Sequence, residues 1–294
     1  MLLYNSIFGI LIFIFGTVIG SFLNVVIYRV GSGVGYLGRS KCLSCGKVLT
    51  AKMLIPLLSF FWKGGRCAYC GTKLSWQYPL VEGASGALFV MVWLVTGFDP
   101  LTVFTLAVSL WQNGLSRLPS SGMEVAFFFF VDATIWLILL AITAYDLRHK
   151  IIPDRFVLYF TLLGGLRLLF RWRFGLLSAS FVPFLGSFVP VWVDILAGPL
   201  LALPFAMLWF FSGGRAMGLG DAKLAFGLGW FLGFSGGISA VILAFWTAFF
   251  PSLYLLFLSR KRFTMKSKIP FAPFLIFGAL LVFAGGIDIL QWSF

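Results

Sequence analysis

Eight apolar runs, parted by short polar and basic segments, leave this chain few places to fold other than a lipid bilayer. About 20 apolar residues, at 1.5 Å of rise each, cross the hydrocarbon core. By that ruler spans are predicted at Ser6–Tyr28, Leu80–Gly97, Met123–Tyr145, Ile151–Phe170, Val189–Phe211, Ala222–Phe234, Gly237–Leu258 and Pro270–Leu290. The Ala222–Phe234 run is short, so a tilted or broken helix is expected there. Leu101–Trp111 is apolar but too short to cross, and reads as lying on or dipping into the outer interface. The run Ile7–Tyr28 is too long for a cleavable signal and lacks a small-residue cleavage site, so it reads as a true span. Composition agrees: hydrophobic residues make up 61% of the 294 and charged residues 11%, against roughly 45–50% and 25% in soluble domains. The expected fold class is an all-α polytopic membrane protein of about eight transmembrane helices, with a small polar module between the first two.

The net charge is +13, with nine acidic residues. Such a total invites a nucleic-acid partner, but the distribution argues against one. Basic residues cluster in the short segments between spans, which is how membrane orientation is written. The segment from Arg29 to Tyr78 holds Arg29, Arg39, Lys41, Lys47, Lys52, Lys63, Arg66 and Lys73, and no acidic residue. That places it in the cytoplasm. Asp146–Arg155, Gly213–Lys223 and Arg260–Lys268 then fall on the same side, and all three are basic-rich. Arg167, Arg171 and Arg173 fall on the outer side and are expected to snorkel from a helix end to the headgroups. The chain so divides into a first transmembrane helix (1–28), a cytoplasmic module (29–79) and a multi-helix membrane domain (80–294).

The module carries all four cysteines, as Cys42-Leu-Ser-Cys45 and, after a 21-residue gap, Cys67-Ala-Tyr-Cys70. Each CxxC turn brings two thiolates to one side of a knuckle, and two knuckles complete a tetrahedron for Zn²⁺. Gly46 and Gly71 follow the pairs, where such a turn needs a permissive backbone. Two disulfides are the alternative, disfavoured in a reducing cytoplasm, and a redox CxxC is a second. A closed four-cysteine site has no open position for water and would be structural.

Acidic residues in a membrane are costly, and each is a functional candidate by default. Asp132, Asp194 and Asp288 fall toward the outer ends of spans, while Glu82 starts a span from the inner side. Asp146, Asp154 and Asp221 are the three that readily meet at one depth on the inner side. Two carboxylates in one site share a proton, so one activates water as general base while the other protonates the leaving group. With His149 the only histidine, HExxH zinc chemistry is excluded and a Ser-His-Asp arrangement disfavoured. Asp221 sits in Gly218-Leu-Gly220-Asp221 at the start of a helix, where the glycines let the chain turn tightly and a peptide approach. A plain helix N-cap is the structural alternative for that aspartate. A proton-coupled transporter and a non-catalytic scaffold are the rival functions; the first wants carboxylates spread at the midplane and inverted repeats.

Met217-Gly-Leu-Gly-Asp-Ala-Lys223 resembles the GxGD motif of the type IV prepilin leader peptidases. Asp146-Leu-Arg-His-Lys-Ile-Ile-Pro-Asp154 is similar to that family's first aspartate segment. Gly20–Arg29, Ile55–Ser59, Gly65-Arg-Cys67, Tyr78-Pro-Leu-Val-Glu82 and Pro270–Leu275 match further family segments. Ala272 stands where the family has glycine, and Tyr36–Lys41 departs from its proline-rich entry to the first CxxC. The resemblance implies an intramembrane aspartic peptidase of the bacterial cytoplasmic membrane. It would cut the basic leader from prepilins or pseudopilins at a Gly–Phe-type junction and N-methylate the new terminus with S-adenosylmethionine. It implies Asp146 and Asp221 as the catalytic pair, and Asp154 as a shaper of the loop and helix that follow. Lys223, two positions after Asp221, is a cytoplasmic topology charge or else screens the pair or meets a substrate carboxylate. Glu82 caps its helix or, from its place in the family's module-to-membrane junction, serves substrate binding or methyl transfer. The sequence has no Rossmann glycine pattern for the methyl donor.

Overall fold

The computed structural model describes residues 2–30, 35, 38–99, 120–177, 180–182, 187–215, 217–258 and 270–291. Among them are eight α-helices: α1 (Leu2–Arg29), α2 (Leu58–Trp62), α3 (Gln77–Thr96), α4 (Ser120–His149), α5 (Asp154–Arg173), α6 (Val191–Ser212), α7 (Leu219–Leu258) and α8 (Ala272–Gly285). Five of them, α1, α3, α4, α6 and α7, are long and apolar enough to cross a membrane, and α8 is a shorter apolar helix. Each of the eight expected spans overlaps one of these helices or, for α7, one of its two arms. However, α5, with its arginines, is not among the five, and α8, at 14 residues, is shorter than the Pro270–Leu290 run. The segments Leu101–Trp111 and Arg260–Lys268 lie outside the described residues. One element was not foreseen: a hairpin of β1 (Ser180–Val182) and β2 (Ser187–Val189), with Phe181 opposite Phe188. Val189 therefore ends a strand, and the following helix starts only after Pro190, whose fixed φ suits a helix entrance.

The chain forms two compact units, Met1–Ala144 and Tyr145–Phe294. In the first, α1 and α3 run antiparallel, and small residues let them touch. A Cβ on Gly16 would lie 2.8 Å from the Cα of Gly86, and one on Gly20 would lie 2.9 Å from the Cα of Glu82. The Ser85 hydroxyl donates to the Gly16 carbonyl at 2.7 Å, and the Asn24 amide to the Tyr78 carbonyl at 3.2 Å. Lipid offers no hydrophobic drive for helices to pair, so close backbone approach and interhelical hydrogen bonds supply the attraction. Phe129 of α4 stacks on Phe98, ring centroids 4.3 Å apart, and meets Phe89 edge-on.

In the second unit α5, α6 and α8 all pack on α7. This helix is broken at Gly233 (φ 81°, ψ −178°), a conformation open to glycine. A Cβ on Gly237 would lie 3.6 Å from the Cα of Gly229, whereas eight residues of straight helix span roughly 12 Å. The two arms, before and after Gly233, therefore fold back on each other, which realises the break expected after Ala222–Phe234. The Asp194 carboxylate accepts the N–H of Phe234, the first residue of the second arm, at 2.8 Å. Arg167 donates to the carbonyl of Phe231, at the end of the first arm, at 2.9 Å, and its guanidinium lies 5.0 Å from that residue's ring centroid. Arg167 thus does not simply snorkel as expected: it turns inward to a carbonyl released by the break. Both oxygens of Asp288 accept the Ser235 hydroxyl, at 2.8 and 2.7 Å, and one also accepts that of Ser239 at 2.8 Å.

The α6–α7 contact is as close as that of α1 and α3: a Cβ on Gly229 would lie 2.5 Å from the Ala197 carbonyl. Gly229→Val is expected to destabilise the unit by about 1–3 kcal/mol through overpacking. Gly83→Ala, whose new Cβ would rest 3.8 Å from Leu57, is expected to leave stability equal or slightly raised. Thermal unfolding of the two variants in detergent checks the contrast.

Candidate active site

Asp146 lies in the last turn of α4. That helix stops because Lys150 takes a left-handed conformation (φ 56°) and its N–H bonds to the Asp146 carbonyl at 2.7 Å. Tyr145 and His149 pack ring on ring beside it, 4.4 Å apart. Three residues later Pro153 turns the chain, and Asp154 opens α5, where a carboxylate favours the positive helix end.

Asp221 lies in the first turn of α7. It is not the cap residue: its own N–H bonds to the Gly218 carbonyl at 3.2 Å, and its carboxylate accepts the N–H of Gly218. The carboxylate reaching back to the N–H three residues before it is the acid half of a capping box, with the Gly218 carbonyl standing where a cap side chain would accept. A Cβ on Gly218 would lie 3.6 Å from an oxygen of this carboxylate, and one on Gly220 would lie 3.0 Å from Ile152. The two glycines so leave room beside the acid and bring the α7 entrance against the loop between α4 and α5. Lys223 reaches across the same gap to Asp154 at 2.7 Å. Both partners are largely exposed, so the pair ties two helix entrances together for only about 0.2–1 kcal/mol.

Asp146 and Asp221 are both buried, at 4% and 9% exposure, and close enough to repel each other electrostatically. One oxygen of Asp146, Oδ2, is buried and meets no hydrogen-bond donor among the described residues. Two crowded carboxylates, one with an open lone pair, can bind and polarise a water.

In the first unit the four cysteine sulfurs lie within 4.8 Å of one another, with Cys42 and Cys70 at 3.9 Å. A tetrahedral zinc site with bonds of about 2.3 Å has sulfur–sulfur edges of about 3.8 Å, so the cluster fits a metal. The knuckles repeat one another. Cys42 N–H bonds to Lys47 C=O at 3.0 Å and Cys67 N–H to Thr72 C=O at 2.9 Å, while Gly46 (φ 68°) and Gly71 (φ 69°) close the turns. The Thr72 hydroxyl and N–H hold the Cys70 thiol down to about 6. In the sequence Thr72 is marked only by its position two residues after Cys70.

Glu82 is buried and committed. Its Oε2 accepts the N–H of Leu57 at 2.8 Å, and it is also hydrogen-bonded to the Ser21 side chain. Of the residues expected at a site, then, the structure brings Asp146, Asp221, Gly218, Gly220, Asp154 and Lys223 together in the second unit. Cys42, Cys45, Cys67 and Cys70 meet in the first, and Glu82 holds a turn there.

Comparison with known proteins gives two family matches: the bacterial peptidase A24 N-terminal domain over residues 14–96 and the type IV leader peptidase family over residues 133–253. Among curated relatives, a prepilin leader peptidase/N-methyltransferase of Dickeya chrysanthemi is 33% identical, covering 88% of this chain and 86% of its own. Proteins of the same name from Aeromonas hydrophila (30% identical, 96% and 92% covered) and Bacillus subtilis strain 168 (28%, 96% and 96%) also match. No solved structure matches the chain significantly.

Replacing either buried cysteine, Cys42→Ser or Cys67→Ser, is expected to bring the metal content of the purified protein to background. Lys223→Met, which breaks only the exposed ion pair, is expected to leave it stoichiometric. Elemental mass spectrometry on protein in detergent reads both.

Proposed function

Because the chain belongs to the type IV leader peptidase family, it is a membrane peptidase, and we propose that Asp146 and Asp221 are its catalytic pair. The substrates we assign to it are type IV prepilins or pseudopilins, cut at the Gly–Phe-type junction that follows their basic leader. The observation that carries this reading is the meeting of two buried, mutually repelling carboxylates at facing helix ends. It is supported by a sequence with a single histidine and by cysteines gathered around a metal position.

In this mechanism the ionised member of the pair takes a proton from water, whose oxygen attacks the scissile carbonyl carbon. The protonated member gives its proton to that carbonyl oxygen. When the tetrahedral adduct collapses, the C–N bond breaks and the new amine leaves with a proton from the pair. Gly218 and Gly220 form the turn beside which an extended peptide lies. The Asp154–Lys223 ion pair positions the entrances of α5 and α7. The active site and the cysteine module face the cytoplasm in this proposal, as the basic loops require.

Zinc is the metal we assign to the four cysteines, in a structural role, since a closed thiolate tetrahedron has no open position for water. The relatives' name adds N-methylation of the new N-terminus. S-adenosylmethionine, by resemblance, would supply the methyl group when bound. The sequence carries no glycine-rich turn with an acidic ribose partner for it, and no residue of this chain is assigned to that step.

With a prepilin as substrate and the protein in lipid, Asp146→Asn and Asp221→Asn are each expected to lose about 10²–10⁴-fold or more in cleavage rate. Both variants keep shape and volume, so unfolding temperature should change little. Equal cleavage by all three proteins would make the carboxylates structural and defeat the mechanism.

A further inference from the structure

The segment Pro56–Trp62 does not look outward like the surface of a soluble module. Leu58, Phe61 and Trp62 on α2 are 60%, 61% and 82% exposed. Phe60 alone turns inward, 5.2 Å from the ring of Trp76. A five-residue helix that presents three large apolar side chains to its surroundings is poorly placed in water.

Its depth is set by an unusual contact. Leu57, just before α2, has φ 59° and ψ −56°, and the Leu58 N–H bonds back to the Pro56 carbonyl at 2.6 Å. This is a γ-turn of the rare, strained hand. The Glu82 carboxylate holds it by accepting the Leu57 N–H at 2.8 Å. Glu82 lies five residues inside the start of α3, or about 7.5 Å along the helix. Since the 20 residues of α3 span about 30 Å, the thickness of the hydrocarbon core, the turn is pinned below the plane where α3 enters the membrane. Amphipathic interfacial segments seat their apolar side at that depth. Tyr28 and Tyr78, stacked at 5.1 Å where α1 ends and α3 begins, mark the plane of entry above it.

Charge identifies what covers this face. Residues 29–78 contain eight Lys and Arg and no acid, and Lys52, Lys63 and Arg66 flank the apolar segment. Basic side chains around an apolar wedge complement an anionic lipid surface. We infer that Pro56–Trp62 is a membrane-inserting wedge that seats the cysteine module on anionic phospholipid, in the leaflet on the module's own side. The strained turn and the buried Glu82 exist to hold it at that depth. The inference rests on the membrane embedding of the chain and holds whatever peptide the second unit cuts.

The test places a photo-reactive benzophenone side chain at Trp62, at Phe61, or at Leu43, which is 77% exposed in the first cysteine knuckle. The full-length protein is irradiated in nanodiscs of phosphatidylglycerol and phosphatidylethanolamine, and adducts are identified by mass spectrometry. Positions 61 and 62 are expected to give phospholipid adducts in several-fold higher yield than position 43, with phosphatidylglycerol over-represented. In the Lys52→Gln/Lys63→Gln double variant the adducts should persist while the preference for phosphatidylglycerol falls. Lipid yields no higher at 61 and 62 than at 43 would overturn the wedge. So would adducts at those positions to a second copy or to added prepilin instead of lipid. A lipid preference unchanged in the double variant would overturn the anionic partner.

Discussion

A helix that breaks inside a membrane protein strands backbone N–H and C=O groups where no water waits to receive them. In the second unit that break is at Gly233, and two charged side chains from neighbouring helices resolve it. Asp194 of α6 takes the Phe234 N–H, and Arg167 of α5 gives to the Phe231 carbonyl. Asp288 adds bonds to Ser235 and Ser239 at the start of the second arm. Because α5, α6 and α8 all pack on α7, these bonds fix the frame around which the unit is assembled. They fix the first arm as well, and therefore the point at which Asp221 enters.

Within that frame, contact is made by small residues. Gly229 rests on the Ala197 backbone, Gly278 on the Ala240 carbonyl, and Gly16 on Gly86 in the first unit. Apolar burial cannot drive helices together when lipid tails are just as apolar, so van der Waals contact and hydrogen bonds do so. Glycine at a crossing brings backbones together, and it also leaves polar groups of one helix within reach of the next. The Ser85 bond to the Gly16 carbonyl is an example, made where the α1–α3 approach is tightest.

Much of this was legible in the sequence. Apolar run length located the helices, the short Ala222–Phe234 run foretold the break, and paired CxxC turns foretold a four-sulfur cluster. The glycines around Asp221 suggest a tight turn that a peptide approaches; in the structure Gly220 lies against Ile152. Less legible were contacts set by three-dimensional packing. Arg167 looked like a charge on the wrong side of a membrane, because nothing in one dimension reveals that a carbonyl 64 residues away would need it. Lys223 looked free to meet a substrate, yet Asp154, 69 residues distant in sequence, takes it. Glu82 matched a family segment, but its partners Leu57 and Ser21 lie in other segments of the chain. The β1–β2 hairpin escaped notice because its strands are three residues each, too short for alternation to show.

What separates the carboxylates of this chain is less their burial than how their oxygens are used. Asp288 accepts from Ser235, Ser239 and the Leu290 N–H. Asp194 accepts from Phe234, and Glu82 from Leu57 and Ser21. Each of these carboxylates ties one segment to another, and a proton or water brought to it would displace a bond between them, whereas Asp221 accepts from Gly218 within its own turn. Asp146 differs, because its Oδ2 is buried and open among the described residues, and it faces a second acid rather than a donor. Crowding two buried acids is unfavourable to folding. Folding alone gives no reason to keep such an arrangement at the meeting of two helix ends. The mechanism we propose gives one, since a proton shared between two such acids would let a water be bound, deprotonated and aimed.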